Sequence, residues 1–260
     1  MTFPASDRVV YARNPLIQVI CQLRFPPILT IAAKEPADFQ ERVRLAGYPF
    51  YQKTVQGVSA VPQEISMILG QFPASAGSVA SVVHKFLVED RTSEIDLTQE
   101  VVGVGTTKYL RWQQFESSIR VATQALEAVY RPGFYLRVAL RYRNTIDREK
   151  LNLDETQWSE LVQGHVLGLL DNQTLNGRIT SIRSQAVIRL EQNQEFLSLR
   201  HGFVPLTPGR QGYAIDAEFY SNAKQSGESV FDTLGRLHGE AGNFFRWSIT
   251  EKLSNALGRE

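Results

Sequence analysis

The sequence predicts an α+β fold in which antiparallel strands form a sheet and helices pack on one face of it. The first observation is an internal duplication: residues 17–25 (IQVICQLRF) and residues 135–142 (YLRVALRY), about 120 residues apart, are β-rich runs that both end in Leu-Arg-aromatic. The second is that each run opens the same order of elements, strand–helix–three strands–helix. We expect one such unit over residues 1–132 and another over residues 133–260, joined in one compact pseudo-symmetric domain.

The first unit begins with a strand over residues 16–25. Pro26 and Pro27 end it, because proline has no backbone N–H to donate. A helix follows, with Pro36 suited to its first turn. Residues 57–77 contain several Gly and Pro and are expected to form a loop with at most one short strand.

A hairpin and a long helix complete the first unit. The helix is predicted over residues 109–129, where apolar residues recur every three or four positions, and either Thr106 or Thr107 can cap it. The strands that precede it, two in the hairpin and a third after it, are predicted at residues 82–89, 94–99 and 101–105.

The second unit repeats this order. One helix is expected from Asn152, which forms a capping-box pattern with Glu155, through to Leu169. A longer helix is expected from Ser229 through Leu253, with Asp232 completing its capping box and Gly258 ending it. The strands are predicted at residues 134–145, 179–190, 195–199 and 212–220.

Two such units place two sheets side by side, or one continuous curved sheet, with helices behind. This is the arrangement of a TATA-binding-like saddle or a helix-grip fold. The likeness concerns the fold alone and implies no function.

The charges of the chain nearly cancel. It contains 28 basic and 27 acidic residues, so we expect no whole-molecule field that would gather nucleic acid. Most of the basic residues are arginine, the better residue for forked contacts with phosphate or carboxylate. A local basic patch is therefore compatible with the near-zero net charge.

The cysteine count and the N-terminus indicate the compartment. Cys21 is the single cysteine, so the chain can form no internal disulfide and no cysteine zinc site, and we interpret Cys21 as a small buried apolar residue. No signal peptide pattern opens the sequence, and no apolar run approaches the ~18 residues of a membrane span. We expect a soluble cytoplasmic protein that does not bind membranes.

The histidines give only weak catalytic candidates. His84 and His165 fall on predicted apolar elements and are expected to be hydrogen-bonded histidines in the core or at its edge. His201 and His238 are candidates for a general base, because histidine titrates near neutral pH. No pair of histidines has metal-ligand spacing, so we expect no metal and no cofactor.

Two pairs of acidic residues lie at spacing i, i+2 on predicted strands. Glu94 and Asp96 therefore share one face of the sheet, and so do Asp216 and Glu218. General acid–base chemistry or metal binding is one interpretation, and a solvated sheet face is the favoured one.

Arginines on predicted strands are the most informative polar set. Arg137, Arg141 and Arg143 share a face, because side chains alternate along a strand. If both units expose such a face, it forms a basic platform with Phe25, Tyr135 and Tyr142 as candidate stacking residues. The candidate binding residues are Arg24, Arg137, Arg141, Arg143, Arg189 and Arg200. The alternative is that these arginines form cross-strand ion pairs with Glu89, Glu94, Glu191, Glu195 and Glu218.

Three segments together suggest a family. They are residues 11–16 (YARNPL) with the strand that follows, residues 140–146 (LRYRNTI), and Leu237-His238 followed by Phe245 and Ile249-Thr250. They resemble a sporadically distributed, uncharacterised family of bacterial proteins of about this length, and the resemblance covers the whole chain. Arg143 departs from the pattern, which has an apolar residue there. The patchy occurrence of the family implies mobile cargo such as phage-defence or toxin–antitoxin systems, and no activity comes with it.

Three hypotheses follow. The leading one is a non-enzymatic binding or regulatory module of a bacterial conflict system that docks a protein partner or a second copy of itself, because arginine and aromatic residues are favoured at interfaces. The alternative is a nucleic-acid or nucleotide binder that uses the strand arginines. The third is a ribonuclease that depends on His201 or His238.

Overall fold

The strands of the protein form one antiparallel sheet. The computed structural model describes residues 1–56, 81–175, 177–192 and 194–258. Within these ranges nine strands pair in the order β2-β3-β4-β5-β1-β6-β9-β8-β7. They are β1 (Leu16–Arg24), β2 (Phe50–Gln56), β3 (Ser81–Leu87), β4 (Ser93–Leu97), β5 (Val101–Thr106), β6 (Arg137–Ile146), β7 (Arg183–Arg189), β8 (Glu195–Thr207) and β9 (Arg210–Ser221). The predicted α+β class is confirmed.

The opening strands of the two halves of the chain lie at the centre of the sheet, and the other strands lie outward from them. The opening strands of the two halves, β1 and β6, pair with each other at the centre of the sheet. The last strand of each half lies next to its opening strand, β5 beside β1 and β9 beside β6. The remaining strands follow outward by hairpins, so that β2 and β7 form the two edges of the sheet.

Side chains of the sheet alternate between a core face and an opposite face, as the geometry of a strand requires. Val19, Cys21 and Leu23 of β1, all nearly inaccessible to solvent, point to the core, and Val138 and Leu140 of β6 lie directly beside them. The described α-helices are α1 (Leu29–Ala33), α2 (Ala37–Leu45), α3 (Trp112–Val129), α4 (Gly164–Leu167), α5 (Ser229–Ser248) and α6 (Glu251–Leu257).

The two long helices cover the core face. Helix α3 buries Phe115, Ile119 and Leu126 on one stripe, and α5 buries a similar stripe that includes Leu234 and Leu237. Helix α3 contacts β5, and α5 contacts β6 and β9, so each helix packs on the sheet of its own half.

Strand β2 is one element that the sequence analysis did not predict. The first half has four strands after its helices instead of three. The β2 segment (FYQKTVQ) forms an edge strand whose residues 50–55 are exposed, so neither face supplies an apolar alternation. The predicted loop over residues 57–77 lies outside the described residues.

The helix predicted from Asn152 to Leu169 is wrong. Asn152 adopts a left-handed backbone (φ 57°) and ends a short 3-10 turn instead of beginning a helix. Two further 3-10 turns and the four-residue α4 follow, and Gly168, also at positive φ, separates α4 from the last turn. Leu161 and Val162 are buried nevertheless, and the partly buried Trp158 packs on Tyr213 of β9, whereas Leu169 is exposed.

Several predicted helix ends differ from those observed. Helix α3 begins at Trp112, after Thr106 and Thr107, and Thr106 Oγ1 instead donates to the Thr92 carbonyl oxygen. Helix α5 begins without a side-chain cap, since Ser229 Oγ donates to the carbonyl oxygen of Ser226.

The long C-terminal helix is interrupted. Ile249 is extended and bridges to Val162, and the Thr250 side chain then caps α6 by accepting from the backbone N–H of Leu253. The predicted stop at Gly258 is observed. Of the helices within the described ranges, none is long and apolar enough to cross a membrane.

Candidate ligand-binding face of the sheet

All six candidate arginines lie on one side of the sheet. We call this side the arginine face: it is formed by the strand residues that alternate with the core residues. Arg24 lies directly opposite Arg137, and Arg141 lies opposite Ile20, at the centre of the sheet. Arg143, Asp216 and Arg200 form one row across β6, β9 and β8. Arg189 lies opposite Phe196 on the outer strands.

The arginines at the centre of this face are held by acidic or amide side chains. Arg141 donates two hydrogen bonds to Asp216, with Nε 2.7 Å from Oδ1 and an NH2 nitrogen 2.5 Å from Oδ2. Arg137 donates to Glu218 at 2.7 Å, and Arg24 donates to Glu100 at 2.9 Å. For these three residues the geometry agrees with the alternative of cross-strand or neighbouring ion pairs.

Burial and neighbouring charges shift the pKa values of two central arginines, Arg141 and Arg143, in opposite directions. Burial alone would lower the pKa of Arg141, but the hydrogen bond and charge of Asp216 outweigh burial and raise it above its ordinary value. Burial lowers the pKa of Arg143, and the nearby charge of Arg141 adds to this effect while Asp216 opposes it. Arg143 also donates to the side-chain oxygen of Gln18 at 2.8 Å.

The outer strands β7 and β8 carry a different kind of arginine. Arg183, Arg189 and Arg200 are exposed, and no carboxylate oxygen of a described residue lies within 4.0 Å of their guanidinium groups. Arg183 and Arg200 are diagonal neighbours across the two strands, about 7–8 Å apart at Cα. Arg189 lies farther along β7, beyond Arg183 and Arg200, so the three positive charges are spread along the outer strands, and none has a carboxylate partner among the described residues.

An aromatic pair lies beside Arg189, which is directly opposite Phe196 across β7 and β8. The rings of Phe196 and Tyr220 stack with centroids 5.4 Å apart and planes 24° apart. The guanidinium of Arg137 lies 3.6 Å from the Tyr220 ring centroid, a cation–π contact that connects the central and outer arginines. We call Arg183, Arg189, Arg200, Phe196 and Tyr220 the basic-aromatic patch.

The stacking residues proposed from the sequence are not in this patch. Phe25, Tyr135 and Tyr142 are all buried in the core. The sequence does not identify Phe196 and Tyr220 as stacking residues, although they fall in the predicted strands over residues 195–199 and 212–220. Their positions on strands could be predicted, but their pairing across β8 and β9 depends on a register that the sequence does not specify.

The arginine face as a whole is basic. Its strand positions hold four acidic residues, Glu94, Asp96, Asp216 and Glu218, and nine basic ones, Lys85, Arg24, Arg137, Arg141, Arg143, Arg183, Arg189, Arg200 and Arg210. The complete chain has a formal net charge of only +1. Positive charge is therefore concentrated on this face, and the rest of the molecule is net negative.

The two acidic pairs lie on the arginine face, as alternation predicts. Lys85 Nζ donates to Glu94 at 3.2 Å and to both oxygens of Asp96, at 3.0 and 3.1 Å. Burial and the neighbouring charge of Glu94 raise the pKa of Asp96 to about 7, although Lys85 opposes the shift. Asp216 and Glu218 are already bound to arginines, and no group of three metal-ligating side chains occurs among the described residues.

The two histidine candidates lie on the core side, away from the arginines. The His238 ring stacks on Trp112 with centroids 4.5 Å apart, and its Nδ1 lies 2.9 Å from the Tyr142 hydroxyl. Burial, with the positive charges of Arg8 and Arg246, lowers the pKa of His238 to about 4. Burial also lowers the pKa of His201, whose Nδ1 lies 2.7 Å from the Tyr213 hydroxyl. These surroundings favour structural roles.

Cys21 is fully enclosed in the core, and burial raises the pKa of its thiol well above the ordinary value.

A comparison with protein-family models finds no match, and a comparison with curated proteins finds no significant match either.

Proposed function

We propose that this protein is a non-enzymatic binding module and that its ligand is single-stranded nucleic acid, bound on the arginine face. The observation that carries the proposal is the basic-aromatic patch, in which Arg189 lies beside the stacked rings of Phe196 and Tyr220. Arg183 and Arg200 lie farther along the same outer strands, and all three arginines are exposed and have no carboxylate partner among the described residues. Arginines on such a surface follow the phosphates, and aromatic rings stack on unpaired bases.

The geometry favours single strands over duplexes. Phe196 and Tyr220 lie on a sheet face, where bases can stack only if they are unpaired. Arg24, Arg137 and Arg141 already have carboxylate partners, so the three outer arginines carry the contacts with phosphate.

The test is fluorescence anisotropy with a labelled single-stranded oligonucleotide of about 20 nucleotides and its duplex, titrated at several salt concentrations. We expect saturable binding of the single strand, weaker binding of the duplex, and a slope of log K against log salt of about −2 from three phosphate contacts. The absence of binding at low salt, or binding that does not change with salt, would overturn the proposal.

Docking of a protein partner or of a second copy, the leading hypothesis from the sequence, is the second candidate. The observation in its favour is that β2 and β7 are the edges of the sheet, with exposed apolar side chains at Val55 and Val187. Static light scattering at increasing concentration tests self-association: a dimer mass supports it, and a constant monomer mass rejects it. A role in phage defence or in a toxin–antitoxin system remains part of this candidate and rests on the family resemblance alone.

A further inference from the structure

We infer that the basic-aromatic patch holds one stacked base at a time, in a slot between Phe196 and Arg189 that we call the base slot. The inference rests on the proposed function and names the part of the patch that contacts a base. The register places four side chains in one row across four strands, namely Ala139 of β6, Tyr220 of β9, Phe196 of β8 and Arg189 of β7. The two stacked rings form the middle of this row, so a base can stack only on the side that faces β6 or on the side that faces β7.

The side of the ring pair that faces β6 is already occupied. Ala139 is too small to cover the Tyr220 ring, and Arg137 covers it instead, with its guanidinium carbon 3.6 Å from the ring centroid. Arg137 is held there by donating to Glu218 at 2.7 Å. Because β9 lies between β6 and β8, Arg137 and Phe196 contact the Tyr220 ring from opposite sides. Neither face of the Tyr220 ring is therefore left for a base.

The side of the ring pair that faces β7 has no such cover among the described residues. The Phe196 ring is partly exposed, and its one ring contact there is with Tyr220. Arg189 lies directly opposite on the edge strand and is exposed, and its guanidinium is paired with no described carboxylate. A base that stacks on Phe196 from this side comes to lie beside Arg189.

The base slot combines the two groups that an unpaired nucleotide requires. The Phe196 ring can stack on any base, because every base has a π-face. The Arg189 guanidinium can stack on the other face of that base or pair with the adjacent phosphate. Arg183 and Arg200 lie farther along the outer strands and are placed to contact phosphates beyond the slot. The ligand therefore needs several phosphates but only one unpaired base.

The experiment compares oligothymidylate of about 20 nucleotides with an abasic strand of the same length, which keeps every phosphate and carries no base. Both strands compete with the labelled oligonucleotide in fluorescence anisotropy at low salt. We expect the intact strand to bind about 10-fold more tightly, the contribution of one stacked base. The slope of log K against log salt should be the same for both strands, because their phosphates are the same. Equal affinities would overturn the inference, and a difference of about 1,000-fold or more would show several stacked bases and overturn it as well.

A variant locates the stacked base. Phe196→Leu should bind the two strands equally, because the slot is lost, and should keep the wild-type affinity for the abasic strand, which also shows that the variant is folded. The matched control is Phe50→Leu, the same change at a ring that is 43% exposed on β2, the opposite edge of the sheet. This control should keep the 10-fold difference. A Phe196→Leu variant that keeps the difference, or a control that loses it, would overturn the assignment.

Failure of the base slot and failure of the proposed function give different results. If neither strand binds the wild type at low salt, the proposed function is overturned and the base slot with it. If both strands bind equally and their affinity falls with salt, phosphate binding on the arginine face is retained and the base slot alone is overturned.

Discussion

Single residues in this protein show how position on the sheet decides chemistry. Arg141 and Arg200 both lie on the arginine face, yet Arg141 is bound by Asp216 whereas Arg200 has no carboxylate partner among the described residues. The difference arises because Asp216 lies between them and pairs with the arginine on the more sheltered strand. Residue type alone could therefore identify the candidate arginines but could not separate paired from unpaired ones.

Asp96 should make stability depend on pH. Burial raises the pKa of its carboxyl group from 3.8 to about 7, so the folded protein keeps a proton that the unfolded chain has already released. The contribution of this retained proton to the free energy of unfolding is full below pH about 4 and is lost as pH rises through about 7. Between pH 5 and pH 8, the free energy of unfolding of the wild type should fall by about 2 kcal/mol more than that of Asp96→Asn, as measured by urea denaturation.

The exposed Asp154 supplies the control for this measurement. Asp154→Asn should keep the wild-type pH profile. An Asp96→Asn variant with the same profile as the wild type would show that the buried carboxyl group does not carry the effect.

His238 should remain neutral across the physiological range. Burial against Trp112, with Arg8 and Arg246 nearby, lowers its pKa to about 4. We expect its imidazole NMR signals, assigned by their loss in His238→Gln, to titrate with a midpoint near pH 4. A midpoint at its ordinary value of 6.5 would contradict the structural role and restore His238 as a general-base candidate.

At the scale of elements, the sequence predicts those helices, strands and turns that depend on residues close together in the chain. The β3–β4 hairpin, strand β5, the apolar stripes of α3 and α5 and the stop at Gly258 all follow from turn residues and periodicity within a few positions. Strand β2 could not be predicted in this way. Its side chains are exposed, and it is a strand because β3 pairs with it.

The failed helix prediction in the second unit has the same origin. Trp158, Leu161 and Val162 have helical spacing, but their burial depends on contacts with β9 and with the segment after α5. Glycines at 164 and 168 weaken a helix there, and tertiary packing holds the chain in short turns instead.

The break between α5 and α6 gives a prediction for one element boundary. Thr250 Oγ1 accepts from the Leu253 N–H at 3.3 Å and donates to the Glu160 carbonyl oxygen at 2.6 Å. Thr250→Ala should lower the free energy of unfolding by about 1 kcal/mol in a urea titration, because a capping bond is lost. Thr174→Ala, at an exposed turn, is the control and should cost much less. Equal losses would show that the cap contributes nothing.

At the scale of the whole molecule, the main feature is the segregation of charge. The net charge of +1 predicts no general attraction for nucleic acid. The fold places nine basic strand residues and four acidic ones on one side of the sheet. The alternation of side chains predicted part of this face, and the strand order, which composition cannot supply, brought its two halves together.

The most direct test of the central claim is to remove together the three arginines of the basic-aromatic patch, which have no carboxylate partner among the described residues. The variant Arg183→Gln/Arg189→Gln/Arg200→Gln is compared with Arg13→Gln/Arg42→Gln/Arg111→Gln, which removes the same charge from exposed positions outside the arginine face. Both are titrated with the labelled single-stranded oligonucleotide over a range of salt concentrations. We predict that the first variant loses about 2 units of the slope of log K against log salt and most of its low-salt affinity, while the control keeps both. Equal effects of the two variants would contradict the claim that the arginine face is the binding surface.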